Sequence, residues 1–333
     1  MTGTRSASTS AERLPPGYHA RNPTDPDVAA ITEILRAAEA AEYGDADATV
    51  EDAERYLSSV DLSADAWLVS DSHEAPAGFI FFDATRERWW GFGSVHPRHR
   101  GRGVGAWLLS TAESRARERL RASPGHGAVE LSFGALARDA DARLLIERAG
   151  YRWKRRFWDM WIDLDREPEA PAWPGGIDVR TFTPNQARAV FEAAEEAFQD
   201  HFDHTPHRFD DWRRRWLDHP DFDPSLWFVA MDGAEIAGFS LCRQRRGSGW
   251  VDVLGVRRPW RRQGLGLALL RHSFREFFVR GGRRVGLGVD SENLTGATRL
   301  YERAGMRVAR EYDIFAKGLR AEEGGEALVS TPC

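Results

Sequence analysis

The chain changes its pattern of apolar and polar positions at one stretch, Val251–Leu270, in a way that predicts three successive elements. Val251–Val256 is an apolar run of strand length, and leucines at helical spacing begin at Leu265. The loop between them, residues 257–264, is rich in arginine and ends at Gly264. A helix N-terminus offers N–H groups that have no backbone partner and the positive end of the helix dipole. The pattern therefore predicts an anion-binding turn at Gly264, where the helix begins.

Part of this pattern occurs twice. Three pairs of matching residues lie 161 positions apart: Arg100 and Arg261, Gly103 and Gly264, Gly105 and Gly266. Two further matches lie 160 and 155 positions apart: Trp67-x-Val69 with Trp227-x-Val229, and Glu147–Gly150 with Glu302–Gly305. The distance between matching residues changes only from 155 to 161 positions, which small differences in loop length explain. The sequence therefore indicates that one domain was duplicated.

The boundary between the copies is predicted within residues 166–176, a linker rich in proline and glycine. The N-terminal domain then covers residues 17–165 and the C-terminal domain residues 177–320. Residues 1–16 are rich in Ser, Thr, Ala and Arg without an apolar segment, which predicts a disordered leader. Residues 321–333 are predicted to form a flexible tail.

Each half shows the same order of predicted elements: helices, a strand hairpin, a further strand, the glycine loop with its long helix, a strand, a helix and a terminal strand. In the first half the hairpin is predicted from Ala66–Ser70 and Ala77–Phe82, and a helix start at Thr49. Strands and helices are mixed without strict alternation. The fold class predicted is α+β, with a mixed, mostly antiparallel sheet flanked by helices.

Two ordered motifs in the second half resemble those of the GNAT acetyltransferase superfamily. The first is Arg261-x-x-Gly264-x-Gly266 between a strand and a helix; the second is Asn293 followed by a helix with Leu300-Tyr301-Glu302. With the repeat, this resemblance implies two GNAT-like domains in tandem. It also implies that two adjacent parallel strands splay apart in each domain to admit the pantetheine arm of acyl-CoA.

The resemblance implies acetyl-CoA as acyl donor, with contact residues at the glycine loop and its flanks. In the second half the residues expected to contact it are Leu254, Val256, Arg261, Arg262, Gln263, Gly264, Leu265, Gly266 and Asn293. The arginines at 257, 258, 261 and 262 add a positive field suited to phosphates. In the first half Arg100, Gly103 and Gly105 either bind a second CoA or only preserve the turn.

Acetyl transfer from a thioester to an amine requires a group that takes the amine proton, and the departing thiolate benefits from a proton donor. By resemblance Tyr301 is the donor, whereas its counterpart 155 positions earlier is Ile146. The predicted base is Asp252, the only acid on the strand face that period-two geometry assigns to Trp250, Asp252 and Leu254. Ordered water is the alternative base.

The first half lacks these groups. Gly91 stands 161 positions before Asp252, and Arg138 stands 155 positions before Asn293. The C-terminal domain is therefore the predicted catalytic domain, and the N-terminal domain is predicted to be catalytically degenerate.

Net charge, hydropathy and cysteine content argue against several classes of function. The net charge of −5 disfavours a nucleic-acid partner, and the sequence has no run of about 18 apolar residues that would span a membrane. Cys242 and Cys333 are too few for a disulfide framework, which suits a reducing cytoplasm. His201, His204 and His207 have regular spacing, but Pro206 interrupts a helix there, so no metal site is predicted.

The predicted activity is transfer of an acetyl group from acetyl-CoA to a primary amine of a small molecule, by direct attack in the C-terminal domain. Acids and aromatic residues within 192–223 would suit a cationic amine. The domain plan resembles that of the mycothiol synthase family, except that Trp250 stands where a strand carboxylate is expected. Two alternatives are a non-catalytic, CoA-responsive scaffold and a protein or peptide N-acetyltransferase. The sequence leaves acceptor identity, acyl length and oligomeric state open.

Overall fold

The computed structural model describes residues 13–58, 60–84, 89–122, 129–199, 206–219, 221–245, 247–293 and 296–319. The chain forms two compact units. Unit 1 contains the residues up to Arg156 and those from Tyr312 onward, and unit 2 is Phe157–Glu311. Most of the predicted leader and all of the predicted tail lie outside the described residues.

Unit 1 has the predicted order of elements. Its helices are α1 (Val28–Tyr43), α2 (Val50–Leu57), α3 (Leu62–Asp65), α4 (Val104–Ala122) and α5 (Ala140–Arg148). Its first five strands are β1 (Tyr18–Arg21), β2 (Ala66–Asp71), β3 (Pro76–Asp83), β4 (Trp89–Val95) and β5 (Val129–Leu136). The hairpin predicted from the sequence is β2 and β3, which pair antiparallel. The side chain of Thr49 accepts a hydrogen bond from the backbone N–H of Asp52, so α2 begins where its cap predicts.

Unit 2 repeats this order. Its helices are α6 (Ala187–Phe198), α7 (Phe209–Trp216), α8 (Leu265–Val279) and α9 (Ala297–Arg303). Five strands lie wholly within it: β7 (Ile177–Thr181), β8 (Trp227–Asp232), β9 (Glu235–Arg245), β10 (Ser248–Val256) and β11 (Arg284–Asp290). Two longer strands, β6 (Arg152–Asp163) and β12 (Arg307–Leu319), cross the boundaries between the units.

The sheet of each unit is mixed and mostly antiparallel, as predicted. The order in unit 1 is β1-β2-β3-β4-β5-β12, and the order in unit 2 is β6-β11-β10-β9-β8-β7. The parallel pairs are β4 with β5 and β10 with β11. In unit 1 the helices α4 and α5 cover one face of the sheet, while α1 and α2 cover the other. In the described part of the chain, no helix has both the length and the apolar character needed to cross a membrane.

The last strand of each sheet comes from the other half of the sequence. Residues 312–319 of β12 pair antiparallel with β5, and residues 157–163 of β6 pair antiparallel with β11. The domain boundaries predicted from the sequence, 17–165 and 177–320, assign each of these strands to its own half. In the structure the two strands are exchanged. Apolar alternation identifies a strand but not its partner, since β5 and β11 offer the same kind of edge.

Because of this exchange, removing the C-terminal end of the chain should destabilise unit 1. β12 contributes Phe315 and Leu319, both fully buried, to the core of that unit. Burial of each is worth about 2–3 kcal/mol, and deletion also exposes the edge of β5. We expect a chain ending at residue 311 to be cleaved by protease first within unit 1, whereas a chain ending at residue 320 resists as the full chain does. First cleavage within unit 2 would contradict the exchange.

Candidate active site

In both units the two parallel strands separate toward their C-terminal ends. β10 and β11 pair only at Gly249 with Val285 and at Trp250 with Gly286. β4 and β5 pair from Trp89 to Phe92 and not beyond. The splay that the family resemblance implies is therefore present in each unit, next to its glycine loop.

The glycine loop of unit 2 presents open backbone at the start of α8. Gly264, the N-cap residue, has φ +86°, and no atom lies within 4 Å of the position where its Cβ would be. Among the described residues, no side chain caps α8. The first N–H groups of the helix therefore remain available for an anion. The side chain of Leu265 is buried, so this residue can contact a cofactor only through its backbone N–H.

Two of the loop arginines are used within unit 2 itself. Arg261 donates to the carbonyl oxygens of Val256 (3.1 Å) and Ala197 (3.0 Å). Arg257 donates to Glu196 Oε2 at 2.6 Å. These contacts fix the loop to the end of α6. The positive field expected from four arginines is thus partly neutralised.

Arg262 differs from its neighbours in its backbone. It is exposed and has φ +64°, in the left-handed region. Gly101, 161 positions earlier, has φ +70° at the same point of the unit 1 loop. A non-glycine residue costs about 1 kcal/mol or more in this conformation, and such strain clusters at binding sites. The loop of unit 2 therefore accepts backbone strain at Arg262, the residue whose exposed guanidinium lies at this loop.

Replacing Arg262 by Gly should weaken acetyl-CoA binding while stabilising the fold. Relief of the left-handed backbone is worth about 1 kcal/mol, and loss of one charge-assisted hydrogen bond to phosphate should raise Kd roughly tenfold. Calorimetry and thermal unfolding measure the two effects. Glu74→Gly is the matched control for the backbone effect, because Glu74 also has a positive φ, +63°, but lies in the turn between β2 and β3 of unit 1 and not in the loop of unit 2. Unchanged acetyl-CoA affinity in Arg262→Gly would contradict the assignment of Arg262 to the cofactor site.

The other predicted contact residues of unit 2 lie around the gap. Leu254 and Val256 pack against the hydrophobic cluster that also contains Leu265. Gln263 donates to the carbonyl oxygen of Pro259 at 3.1 Å. Asn293 lies in the turn after β11, where its backbone N–H donates to Asp290. Direct contact of these residues with a cofactor stays a prediction.

Tyr301 lies on α9 and belongs to a hydrophobic core cluster of unit 2. Gly266 lets α9 approach the first turn of α8, because a Cβ at Gly266 would lie 2.9 Å from Leu300 Cδ1. The cluster that contains Tyr301 also includes Val289, from β11 at the gap, and Leu265, the first residue of α8. Burial raises the pKa of Tyr301 to about 12. The hydroxyl group therefore stays protonated at neutral pH, as a proton donor must.

A β-bulge carries Asp252. Val251 pairs with Cys242 and Val253 pairs with the adjacent Leu241, so Asp252 is an extra residue in β10. This bulge accounts for the change in repeat spacing from 160 to 161 positions. Val251 and Leu254 consequently pack in one cluster and Val253 in another. The expectation that Trp250, Asp252 and Leu254 share a face is wrong for Leu254, because the bulge interrupts the alternation.

Because of the bulge, the assignment of Gly91 as the counterpart of Asp252 is wrong. Gly91 pairs with Phe82, and the residue 160 positions after Phe82 is Cys242, which pairs with Val251. Gly91 therefore corresponds to Val251. Asp252 has no counterpart in unit 1.

Arg243, on β9, holds the carboxylate of Asp252 with two hydrogen bonds. Its Nε donates to Asp252 Oδ2 at 2.7 Å and its Nη2 to Oδ1 at 2.6 Å. The Arg243 guanidinium lies 5.2 Å from the ring centroid of Trp216, with His219 beside it. Burial and the charge of Arg243 lower the pKa of His219. Sequence reasoning missed Arg243; the one-residue change in repeat spacing, which places an extra residue beside it, is the signal that could have found it.

Of the three histidines with regular spacing, only His207 belongs to the described residues. Its Nδ1 lies 2.9 Å from Glu195 Oε1. His201 and His204 lie outside the described part of the chain, as do Asp200 and Asp203 of the predicted acceptor region.

Unit 1 contains a cavity of about 410 Å³ at its own gap. Its lining includes all three residues predicted to bind a cofactor here: Arg100, Gly103 and Gly105. Arg100 donates to Glu42 Oε1 (2.6 Å) and to Asp139 Oδ2 (2.8 Å), so its guanidinium is engaged within the unit. A ligand in this cavity would rely on loop backbone rather than on Arg100.

The sheet face of unit 1 under α1 and α2 is filled by aromatic rings. Tyr56 stacks on Phe92 with ring centroids 5.4 Å apart, and Phe81 meets Trp90 edge to face at 5.6 Å. Ile146, the counterpart of Tyr301, is buried and lines the cavity. Ile146 cannot donate a proton, and the aromatic rings occupy the face on which an acceptor amine would have to bind.

A family profile matches the chain twice. The profile of the acetyltransferase (GNAT) family covers residues 28–151 and 187–306. Each range spans one splayed pair of strands with its glycine loop, and together the ranges cover more than half of the chain. The protein belongs to the GNAT family and is an N-acetyltransferase with two such domains in tandem.

Known proteins resemble both halves together. A mycothiol acetyltransferase from Streptomyces scabiei is 35% identical over 230 residues, 66% of this chain and 68% of that protein. Another from Catenulispora acidiphila is 29% identical over 317 residues, 86% of this chain and 94% of that protein. The crystal structure of a GCN5-related N-acetyltransferase from Sphaerobacter thermophilus has a TM-score of 0.83 and 38% identity, covering 92% of this chain and 98% of that one. A tandem GNAT protein from the clavulanic acid biosynthesis pathway, 18% identical with a TM-score of 0.67, covers 92% of this chain and all of its own.

Proposed function

We propose that this protein transfers an acetyl group from acetyl-CoA to a primary amine of a small molecule, and that the reaction takes place in unit 2. The observation that carries the assignment to unit 2 is Tyr301, a buried, protonated tyrosine on the helix beside the gap. Unit 1 has Ile146 at that position. A tyrosine can protonate a departing thiolate and an isoleucine cannot.

Within unit 2 the N–H groups of the loop and Arg262 would hold the pyrophosphate, and the pantetheine arm would enter between β10 and β11. The amine attacks the thioester carbonyl carbon directly and forms a tetrahedral intermediate. Its proton passes to Asp252, whose side chain Arg243 orients. When the C–S bond breaks, Tyr301 donates its proton to the sulfur. The bulge supports this role, since bulges often re-aim a side chain at an active site.

Unit 1 is proposed to bind a second acyl-CoA without transferring its acyl group. The cavity at its gap supports binding, and the aromatic cluster under α1 and α2 argues against an acceptor. Arg100, Gly103 and Gly105 would act here through the loop geometry that they stabilise.

The mycothiol acetyltransferases support a small-molecule amine as acceptor. Trp250 argues against the same acceptor as theirs. Its ring meets Trp161 edge to face at 5.2 Å and carries the Arg245 guanidinium 3.8 Å from its centroid. A strand carboxylate expected at this position is therefore replaced by packed aromatic surface.

The proposed reaction is tested by incubating the full chain with acetyl-CoA and a panel of small primary amines. Release of free CoA thiol and mass spectrometry of the products measure acetylation. We expect N-acetylated amines. Acetylation of peptides alone would favour the peptide N-acetyltransferase alternative, and acetyl-CoA binding without turnover on any amine would favour the non-catalytic scaffold.

A further inference from the structure

We infer that the cavity of unit 1 is a binding site for an acyl-CoA whose acyl chain is longer than acetyl. This inference rests on the proposed second acyl-CoA site and adds the chemical class of its acyl group. The cavity, of about 410 Å³, falls within the usual range for sites that hold small molecules or cofactors.

The lining of the cavity changes from charged to apolar along its depth. Asp141 and Arg148 are exposed at its rim. Leu108, Phe133 and Phe79, each no more than 2% exposed, line its inner part. A ligand that fits this gradient has a polar, charged end and an apolar end. The apolar end is where the acyl group of a CoA thioester would lie.

The cavity passes through the sheet. Leu108, Leu109 and Ile80 belong to the hydrophobic cluster on the side of α4, whereas Phe79 and Phe92 belong to the cluster on the side of α1 and α2. All of them line the same space, so the gap between β4 and β5 connects the two faces. An acyl chain that followed the gap would end against Phe79 and Phe92. These rings stand where an acceptor amine would have to enter.

One small residue widens the cavity relative to the same place in unit 2. Ala106 lines it on α4, and the residue 161 positions later is Leu267. At a second matched pair of positions the bulk is exchanged rather than lost: Gly93 on β4 pairs with Ile80, whose side chain fills the space of the missing Cβ, whereas its counterpart Leu254 pairs with Ser240. The difference in room therefore lies at Ala106, where the leucine of unit 2 suits a shorter acyl group.

The thioester would remain intact in this site. Unit 1 offers no counterpart of Asp252, and Ile146 replaces the proton donor. The aromatic rings also cover the inner end of the cavity against water. The site is thus suited to hold a longer acyl-CoA without consuming it.

The experiment titrates acetyl-, butyryl- and hexanoyl-CoA by calorimetry into the full-length Gly266→Glu variant, in which the loop of unit 2 is blocked. Each buried methylene contributes about 0.8 kcal/mol, or roughly fourfold in affinity. We expect butyryl-CoA to bind about tenfold more tightly than acetyl-CoA, and hexanoyl-CoA more tightly still. Adding Ala106→Leu should remove this dependence on chain length, while Ala106→Ser should keep it. Thermal unfolding checks that each variant is folded.

Two results would overturn the inference, and they are distinguishable. Equal affinity for all three thioesters would contradict the longer acyl chain while leaving the second CoA site standing. Absence of binding by every thioester to a folded Gly266→Glu variant would contradict the second site itself.

Discussion

Replacing Tyr301 by Phe is expected to lower kcat about 100-fold while the Kd for acetyl-CoA changes little. A positioned general acid contributes typically 10²–10⁴ in rate, and phenylalanine keeps the ring in the hydrophobic cluster that also contains Leu265 and Val289. Because only the hydroxyl group is lost, binding of the ground-state cofactor should be retained. Steady-state kinetics and calorimetry on the same preparation measure the two quantities.

Tyr151 provides the matched control. It is also a buried tyrosine that follows a helix, in unit 1, and burial raises its pKa as well. Tyr151→Phe should leave kcat unchanged. Since the pKa of Tyr301 is about 12, the wild-type rate should also show no decline from loss of this proton up to about pH 10. An unchanged kcat in Tyr301→Phe would remove the proton donor from the proposed mechanism.

Replacing Asp252 by Ala is expected to lower the free energy of unfolding by about 3 kcal/mol. The side chains of Asp252 and Arg243 are only 8% and 19% exposed, and the substitution leaves the guanidinium without its partner. Breaking a buried pair costs about 3–5 kcal/mol, and the partial exposure of Arg243 places this one at the low end. Denaturant unfolding measures the loss.

Two comparisons separate this effect from loss of a charge in general. The pair Arg180 and Asp178 is about 60% exposed on both sides, so Asp178→Ala should cost less than about 1 kcal/mol. The double variant Asp252→Ala/Arg243→Met should recover most of the stability, because no charge remains buried. If Asp252→Ala lost no more stability than Asp178→Ala, the pair of Asp252 and Arg243 would not stabilise unit 2.

Much of the fold can be predicted from the sequence, because neighbouring residues determine where many helices begin. Thr49 and Asp52 set the start of α2, and the glycine loops set the starts of α4 and α8. The strand exchange is not readable in this way. β6 and β12 have the residue types of any terminal strand, and their partners are fixed only by the register of residues 157–163 and 312–319 on distant strands.

The candidate site likewise has features that the sequence predicts and features that it does not predict. Backbone features such as Gly264 and the helix position of Tyr301 follow from motifs that lie close together in sequence. Asp252 shows the limit, because a period-two rule cannot anticipate a bulge that inserts one residue. The charge of Arg261 likewise suggests a phosphate contact, but its guanidinium donates to backbone carbonyl oxygens of its own unit. Side-chain partners depend on which elements pack together, and that information is tertiary.

The central claim is that acetyl transfer takes place in unit 2. The most direct test measures acetyl transfer to a primary amine by Gly105→Glu and Gly266→Glu, with folding checked by thermal unfolding. The two glycines occupy matched positions, and a Cβ would meet a leucine at 3.0 Å and 2.9 Å respectively, so the steric change is alike. In each variant the added side chain disturbs the packing of one loop against the helix that carries this leucine, and its carboxylate repels a pyrophosphate bound there. We expect activity to be retained in Gly105→Glu and lost in Gly266→Glu; loss in Gly105→Glu with activity retained in Gly266→Glu would place the chemistry in unit 1 and contradict the account.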